Sequence, residues 1–322
     1  MKRVLVAGAS GFVGSHVARR LLSDGHEVHL LMRTTSRTWR VDDILPNVRI
    51  AHADLADENA LDRVVRSVRP QWIFNCAGSG IETFRRTDQE IFRSDFEGAA
   101  NLVRTCAAQG FEAFVHSGSS TEYGRKDHAP AETESCEPNS PHGAAKARAT
   151  AFCCRFAQEN VAPIVTLRLY TVYGPFESPR RLIPRCVAFG LRDTLPALAR
   201  PDLAHDFVHV DDVVNAYVLA AVNARRLPGA VYNIGTGRQS CLREVVDLVR
   251  STMALSAEPR WCSMPDRPYD TTNWRADIAL AKKELGWSPA IPLESGIRLF
   301  HEWLKSSDSL ADVYVRESGE LG

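Results

Sequence analysis

The stretch Arg3-Val4-Leu5-Val6-Ala7-Gly8-Ala9-Ser10-Gly11-Phe12-Val13-Gly14-Ser15 decides the fold. An apolar run from Arg3 to Ala7 reads as a strand and breaks at Gly8. A helical pattern with Val17, Leu21 and Leu22 apolar then runs from Ser15 to Ser23. Between them the glycines stand as G-x-x-G-x-x-G. Glycine there permits a tight turn and close approach of the backbone to a pyrophosphate. The helix N-terminus turns N–H groups and a positive dipole toward the phosphates. Gly8, Ser10, Gly11, Phe12, Val13 and Gly14 are therefore expected to cradle a dinucleotide.

Working outward, the rhythm repeats. Further strands are expected over Glu27 to Met32, Val48 to Ala51, Trp72 to Cys76, Ala113 to His116 and Val165 to Leu169. Helices are expected over Ala60 to Val68, Phe92 to Gln109 and Ala144 to Gln158. Strands alternating with helices of this length imply right-handed βαβ units. The fold class is then α/β, a doubly wound parallel sheet of Rossmann type. After Thr171 prolines, short helices and short strands mix, so a smaller C-terminal lobe is expected. Residues 1–170 would form the dinucleotide-binding domain and 171–322 mainly the lobe. The polar stretch from Ser306 is expected to fray.

The strand ends name further cofactor contacts. An acidic residue normally closes the second strand to hold a ribose 2′-hydroxyl. Here Met32 holds that place, followed by Arg33, Ser36 and Arg37. Arginine attracts a 2′-phosphate that a carboxylate would repel, so NADP is favoured over NAD. Asp54-Leu55, after the third strand, is placed to meet the adenine edge. Cys76-Ala77-Gly78 and Ser117, at the ends of the next two strands, complete the expected cofactor site.

Composition excludes several classes. Lys+Arg and Asp+Glu both number 39 in 322 residues, so the net charge of zero gives no global case for nucleic acid or an anionic membrane. No apolar run approaches the ~18 residues that span a bilayer. With the chain passing from Met1-Lys2-Arg3 straight into a strand, a cytoplasmic protein is expected. The eight cysteines form no C-x-x-C pair and read as reduced thiols. His205 and His209 lack metal-ligand spacing, and no metal is expected.

The ordered set of motifs resembles a family. Gly8 to Gly14 and Asp54-Leu55 are followed by Ser117-Gly118-Ser119-Ser120-Thr121-Glu122-Tyr123-Gly124 and by Ser140-Pro141-His142-Gly143-Ala144-Ala145-Lys146. Then come Leu167 to Pro175, Asp206-Phe207-Val208-His209-Val210-Asp211-Asp212, Tyr232 to Gly237, Arg267-Pro268-Tyr269-Asp270 and Leu285-Gly286-Trp287-Ser288-Pro289. Together they resemble the extended short-chain dehydrogenase/reductases, specifically the NAD-dependent epimerase/dehydratase group acting on nucleotide sugars. The resemblance implies a homodimer built on the helices near Ala99 and Ala149. It also implies that residues 206–223 return to the first domain. It puts the catalytic hydroxyl on Ser119 and the catalytic lysine, which also holds the nicotinamide ribose, on Lys146. It puts the substrate site on Ser119, Thr121, Thr171, His205, Arg267 and Asp270.

Two departures bear on the activity. The family's catalytic tyrosine falls on His142. Four residues from Lys146 on one helix, and in the first turn after Ser140 and Pro141, this histidine faces a cation and the positive end of a dipole. Both disfavour an imidazolium, which favours ketone reduction over alcohol oxidation. Tyr123 and Glu122 are alternative proton donors. The family's sugar dehydratases carry Asp-Glu where this chain has Ser120-Thr121, which speaks against a 4,6-dehydratase. The leading expectation is an NAD(P)-dependent keto-sugar reductase. Beside it stand a nucleotide-sugar epimerase on tightly bound cofactor and a cofactor-binding protein with little turnover.

Overall fold

Alternation along β1 (Arg3–Ala7) sets the layers of the molecule. Val4 and Val6 pack on one side of the sheet and Leu5 and Ala7 on the other, none more than 1% exposed. In the computed structural model, which describes residues 1–80, 86–265 and 270–319, β1 lies inside a seven-stranded sheet. Its neighbours are β2 (Glu27–Met32) and β4 (Trp72–Asn75). Beyond β2 lies β3 (Arg49–His52). Beyond β4 lie β5 (Ala113–Ser119), β6 (Ile164–Leu169) and β10 (Val231–Ile234). Every pairing is parallel. β10 was not among the six expected strands. It lies in the stretch where the alternation is lost, and it adds to the sheet only after an excursion that includes the short strands β7 (Thr171–Tyr173), β8 (Ala204–His205) and β9 (Phe207–His209).

Helices cover both faces. α1 (Phe12–Ser23) and α7 (Val210–Asn223) pack on one, burying Val17, Leu21, Val213 and Tyr217. α2 (Glu58–Val68), α4 (Gly98–Gln109) and α5 (Pro141–Asn160) pack on the other, burying Leu61, Val65, Leu102, Val103 and Cys153. α5 starts three residues earlier than the apolar pattern indicates. Ser140 caps it, its Oγ accepting the Gly143 N–H at 3.1 Å, and Pro141 takes the first helical position, where no amide proton is needed. α4 continues directly from α3 (Asp88–Phe92) through a π-helical turn, Arg93–Glu97.

A third core gathers Tyr173, Ile183, Val187, Val246, Phe300 and Leu304 between α6 (Leu182–Gly190), α8 (Leu242–Met253) and α9 (Leu293–Lys305). The polar end does not fray as expected: Asp308–Gly319 forms α10, with Tyr314 fully buried and its hydroxyl donating to the Glu177 carbonyl. An aromatic contact joins this lobe to the β2–β3 connection. Phe176 packs against Trp39 and Trp303, and the Arg40 Nε donates to the Phe176 carbonyl at 2.8 Å. Asp206 ties the segments beyond β10 together. Its buried carboxylate accepts from the Thr236 N–H and hydroxyl, both 2.6 Å, and from the Gly237 and Ala276 N–H groups.

The turn after β1 needs its glycines for two reasons. Gly8 has φ +75°, and a Cβ there would stand 2.6 Å from the Ala77 nitrogen at the tip of β4. At Gly14 a Cβ would stand 2.3 Å from the Gly8 carbonyl oxygen. Gly8→Ala should therefore lower unfolding free energy by about 2–4 kcal/mol, combining left-handed strain with overpacking. Urea denaturation checks this, and a loss under about 0.5 kcal/mol would contradict it.

Glu177 gives a pH-dependent prediction. It is 4% exposed, and burial pushes its carboxyl up to about 7 against the opposing pull of Arg181. Oε2 finds no hydrogen-bond partner among the described residues. The folded state therefore holds this proton more tightly than the unfolded state. Stability from this group declines as pH rises from the unfolded value of roughly 4.3 toward 7. Glu177→Gln should raise Tm at pH 8 and change it little at pH 5. An equal shift at both pH values would count against the assignment.

Candidate active site

The glycine turn, the tips of β4 and β5 and the first turns of α5 converge at the carboxyl edge of the sheet. The Gly11 N–H donates to the Gly8 carbonyl at 2.9 Å, closing the turn. No side chain caps the N-terminus of α1. A Cβ on Gly11 would meet only the Gly8 carbonyl oxygen, at 3.1 Å, and otherwise open space. The turn thus has an uncapped helix end and an open backbone face, which is what a pyrophosphate requires. The residues present fit a dinucleotide. Phe12 lies edge-on to His16, and Val13 packs into the core below. Arg33 and Arg37 are exposed past β2, with the Ser36 hydroxyl accepting the Arg33 N–H at 3.1 Å. Asp54 is exposed and accepts the Ala56 N–H. Leu55 packs where a Cβ on Gly98 would stand, 2.9 Å away.

Lys146 is the hinge of the arrangement. It is 5% exposed, and its ammonium donates to the carbonyls of Ser117 at 3.1 Å and Ala77 at 3.5 Å, spanning the ends of β5 and β4. Gly78 lies beside it, and a Cβ there would be 3.1 Å from Nζ. Ser117 is held in turn: its hydroxyl donates to the Asn75 carbonyl and meets the Tyr217 hydroxyl. Burial pushes the neighbouring Cys76 thiol up to about 11, so it is not a nucleophile at neutral pH.

His142 lies one turn before Lys146, with its side chain 23% exposed. Its Nδ1 meets the Asp95 carboxylate at 2.8 Å. Asp95 comes from the π-helical turn and is 1% exposed. It also accepts the Ser79 N–H at 2.6 Å, the Ser79 hydroxyl at 2.7 Å and the Ser94 hydroxyl at 2.9 Å. Burial alone would raise this carboxyl, but the His142 hydrogen bond, the Lys146 charge and Ser79 hold it below the usual carboxylate range. Lys146 and the helix dipole by themselves disfavour an imidazolium at His142, as the sequence leads one to expect. Asp95 supplies the opposing charge and removes that premise. The signal for it was present. Ile91, Asp95, Gly98 and Leu102 follow helical spacing, and a lone carboxylate in an apolar stripe needs a partner.

Ser119 closes β5. Its hydroxyl lies 2.7 Å from the Thr121 hydroxyl, in a turn that packs against α5 so closely that a Cβ on Gly143 would stand 2.5 Å from the Thr121 carbonyl oxygen. Glu122 and Tyr123 are not available as proton donors. Glu122 is fully buried, bonded to the Ser119 N–H, Thr150 and Arg168. The Tyr123 hydroxyl donates to Asn233 and accepts from Arg168, and burial pushes it up to about 12. Farther into the lobe, Thr171, His205 and Asp270 line one cavity of about 160 Å³ with Glu177, Arg180 and Arg185. Arg267 lies outside the described residues. No group of three or more His, Cys, Asp or Glu side chains able to hold a metal occurs among the described residues. No helix among them is long and apolar enough to cross a membrane.

Comparisons with known proteins show what the chain as a whole is similar to. MoeE5 in complex with UDP-glucose and NAD superposes with a TM-score of 0.83 at 30% identity, covering 94% of this chain and 98% of that one. The UDP-glucose 4-epimerase of Thermotoga maritima, with UDP-glucose, gives a TM-score of 0.84 at 26% identity over the same shares. A trifunctional UDP-glucose 4,6-dehydratase/UDP-4-keto-6-deoxy-D-glucose 3,5-epimerase/UDP-4-keto-L-rhamnose-reductase of Arabidopsis thaliana is 23% identical over 315 residues. Those cover 94% of this chain, which spans about half (47%) of the length of that enzyme. The sequence profile of the NAD dependent epimerase/dehydratase family matches residues 4–235, and with the strand-tip lysine and the glycine turn in place the chain belongs to that family.

Proposed function

We propose that this protein reduces the keto group of a nucleotide-linked sugar, with NADPH preferred over NADH. The carrying observation is the Lys146 ammonium, fixed on the Ser117 and Ala77 carbonyls beside His142, while the glycine turn presses on the same strand tip at Ala77. A nicotinamide held there would supply the hydride. Lys146 orients the ribose. The Ser119 hydroxyl holds the sugar oxygen, and His142 delivers the proton that converts the forming alkoxide to an alcohol. In this reading residues 1–170, with 206–223, carry the cofactor. The lobe cavity at Thr171, His205 and Asp270, with Arg267, takes the nucleotide part of the substrate. The same reading includes a homodimer on α4 and α5. Ala99 and Ala149 are themselves buried, and the half-buried rings of Phe92, Phe96 and Phe152, overlaid by Arg104 and Arg148, form the face offered.

One observation favours a second reading, an epimerase that oxidises and re-reduces one carbon. Asp95 beside His142 makes the histidine serviceable as a base as well as an acid. Ser120 and Thr121 speak against a dehydratase. Incubation of nucleotide-linked keto sugars with [4,4-²H₂]NADPH separates the readings. A reductase oxidises NADPH stoichiometrically and leaves deuterium on the carbinol carbon. An epimerase interconverts nucleotide sugars with no net change at 340 nm. Neither outcome across UDP-, dTDP-, GDP- and CDP-linked sugars would overturn both.

The cofactor preference has its own test. Arg33→Ala should weaken NADPH binding about tenfold or more, as expected for a lost charge-assisted contact, while changing NADH binding less than about twofold. Equal losses for both cofactors would contradict the assignment.

A further inference from the structure

Asp95 is a buried carboxylate aimed at the part-exposed imidazole of His142. We infer that Asp95 is a positioning residue for proton transfer: it fixes His142 as the Nδ1–H tautomer and so presents a bare Nε2 to the sugar oxygen. This builds on the oxidoreductase reading and adds to it which ring nitrogen of His142 meets the sugar oxygen.

The argument begins with hydrogen-bond arithmetic. An ionised carboxylate only accepts. At 2.8 Å from Asp95 Oδ2, Nδ1 must therefore carry the proton. In the neutral ring Nε2 is then the acceptor nitrogen, and it has no hydrogen-bond partner among the described residues. Asp95 cannot turn away. Oδ1 is held by the Ser79 N–H and the Ser94 hydroxyl, Oδ2 by the Ser79 hydroxyl, and the backbone carrying it widens into a π-helical turn at that point.

Among the described residues, charged and titratable groups approach the imidazole from three elements. Lys146 faces it from its own helix and Asp95 from the π-helical turn. His116 on β5 lies behind both; burial, then Lys146, lowers it to about 3, so it stays neutral. Lys146 and Asp95 cancel, and a proton arriving on Nε2 meets a carboxylate across the ring. In alcohol oxidation the O–H bond breaks, its proton goes to Nε2, and the carbon–oxygen double bond forms as the C–H pair leaves as hydride to the nicotinamide. In reduction the imidazolium returns that proton to the oxygen. His142 and Asp95 thus serve both directions with one tautomer.

Asp95→Asn makes the test sharp. The Ser79 N–H can only donate, so the amide oxygen of the variant must remain there. The amide NH₂ then faces Nδ1, turns it into an acceptor and moves the imidazole proton to Nε2. Long-range ¹H–¹⁵N spectra of the full chain, with the His142 signals assigned by their loss in His142→Gln, read the tautomer directly. The expected result is Nδ1–H in the wild type and Nε2–H in D95N. Alongside it, kcat should fall about 10²–10³-fold, with the acid limb of the oxidation profile moved to lower pH, while the NADPH Kd stays within about threefold. A wild-type Nε2–H tautomer would overturn the inference, and that spectrum needs no variant to fold. So would D95N with unchanged tautomer, kcat and pH profile. If the wild type turns over no nucleotide sugar, the function reading fails, and the spectra still decide the tautomer.

Discussion

One ammonium group organises the centre of this molecule. Burying the charge of Lys146 at the edge of a sheet costs several kcal/mol unless partners replace its water. The Ser117 and Ala77 carbonyls replace part of that hydration, and the Asp95 carboxylate supplies the opposite charge. The carbonyls come from the tips of β5 and β4, and the carboxylate from the middle of the helix between those strands. The group therefore fixes the relative height of two strands and a helix, and the space above them inherits a defined floor. The glycines follow from the same crowding. Gly78 lies against the ammonium, and Gly8 against the strand end that helps to hold it.

The electrostatics at this floor differ from those of a lysine beside a helix dipole alone. With only those two, a proton on His142 would be a third positive influence in a small volume. The buried carboxylate changes that balance and gives the imidazole a fixed orientation. The neutral, buried His116 adds no charge of its own. The result is a site in which the ammonium and the carboxylate balance while His142 is neutral, and in which a proton on the ring lies directly against a carboxylate.

Much of this was legible in the sequence, because the signals are local. The strand–turn–helix opening, the alternation of elements and the spacing from His142 to Lys146 depend on neighbours within a few residues. The features that were missed depend on residues far apart. β10 joins the sheet after the lobe, and nothing in Val231 to Ile234 names β6 as its partner. Asp95 meets His142 across 47 positions. The terminal helix seemed too polar to pack, yet Tyr314 reaches the Glu177 carbonyl across 137 positions. Glu122 and Tyr123 read as reactive because they follow the catalytic hydroxyl. Only the fold shows that Arg168 on β6 takes both.

The π-helical turn at Arg93–Glu97 makes chain length itself part of the site. In a regular helix each residue advances the face by about 100°, and a widened turn absorbs one surplus residue without disturbing the faces on either side. Ile91 and Leu102 can both stay in the core while Asp95 swings into the cleft between them. Loss of a single residue within this turn would restore the regular spiral and alter the path of the backbone that carries Asp95, although every side chain of the dyad were kept. Descendants of this chain can thus vary the letters of the segment far more freely than its count.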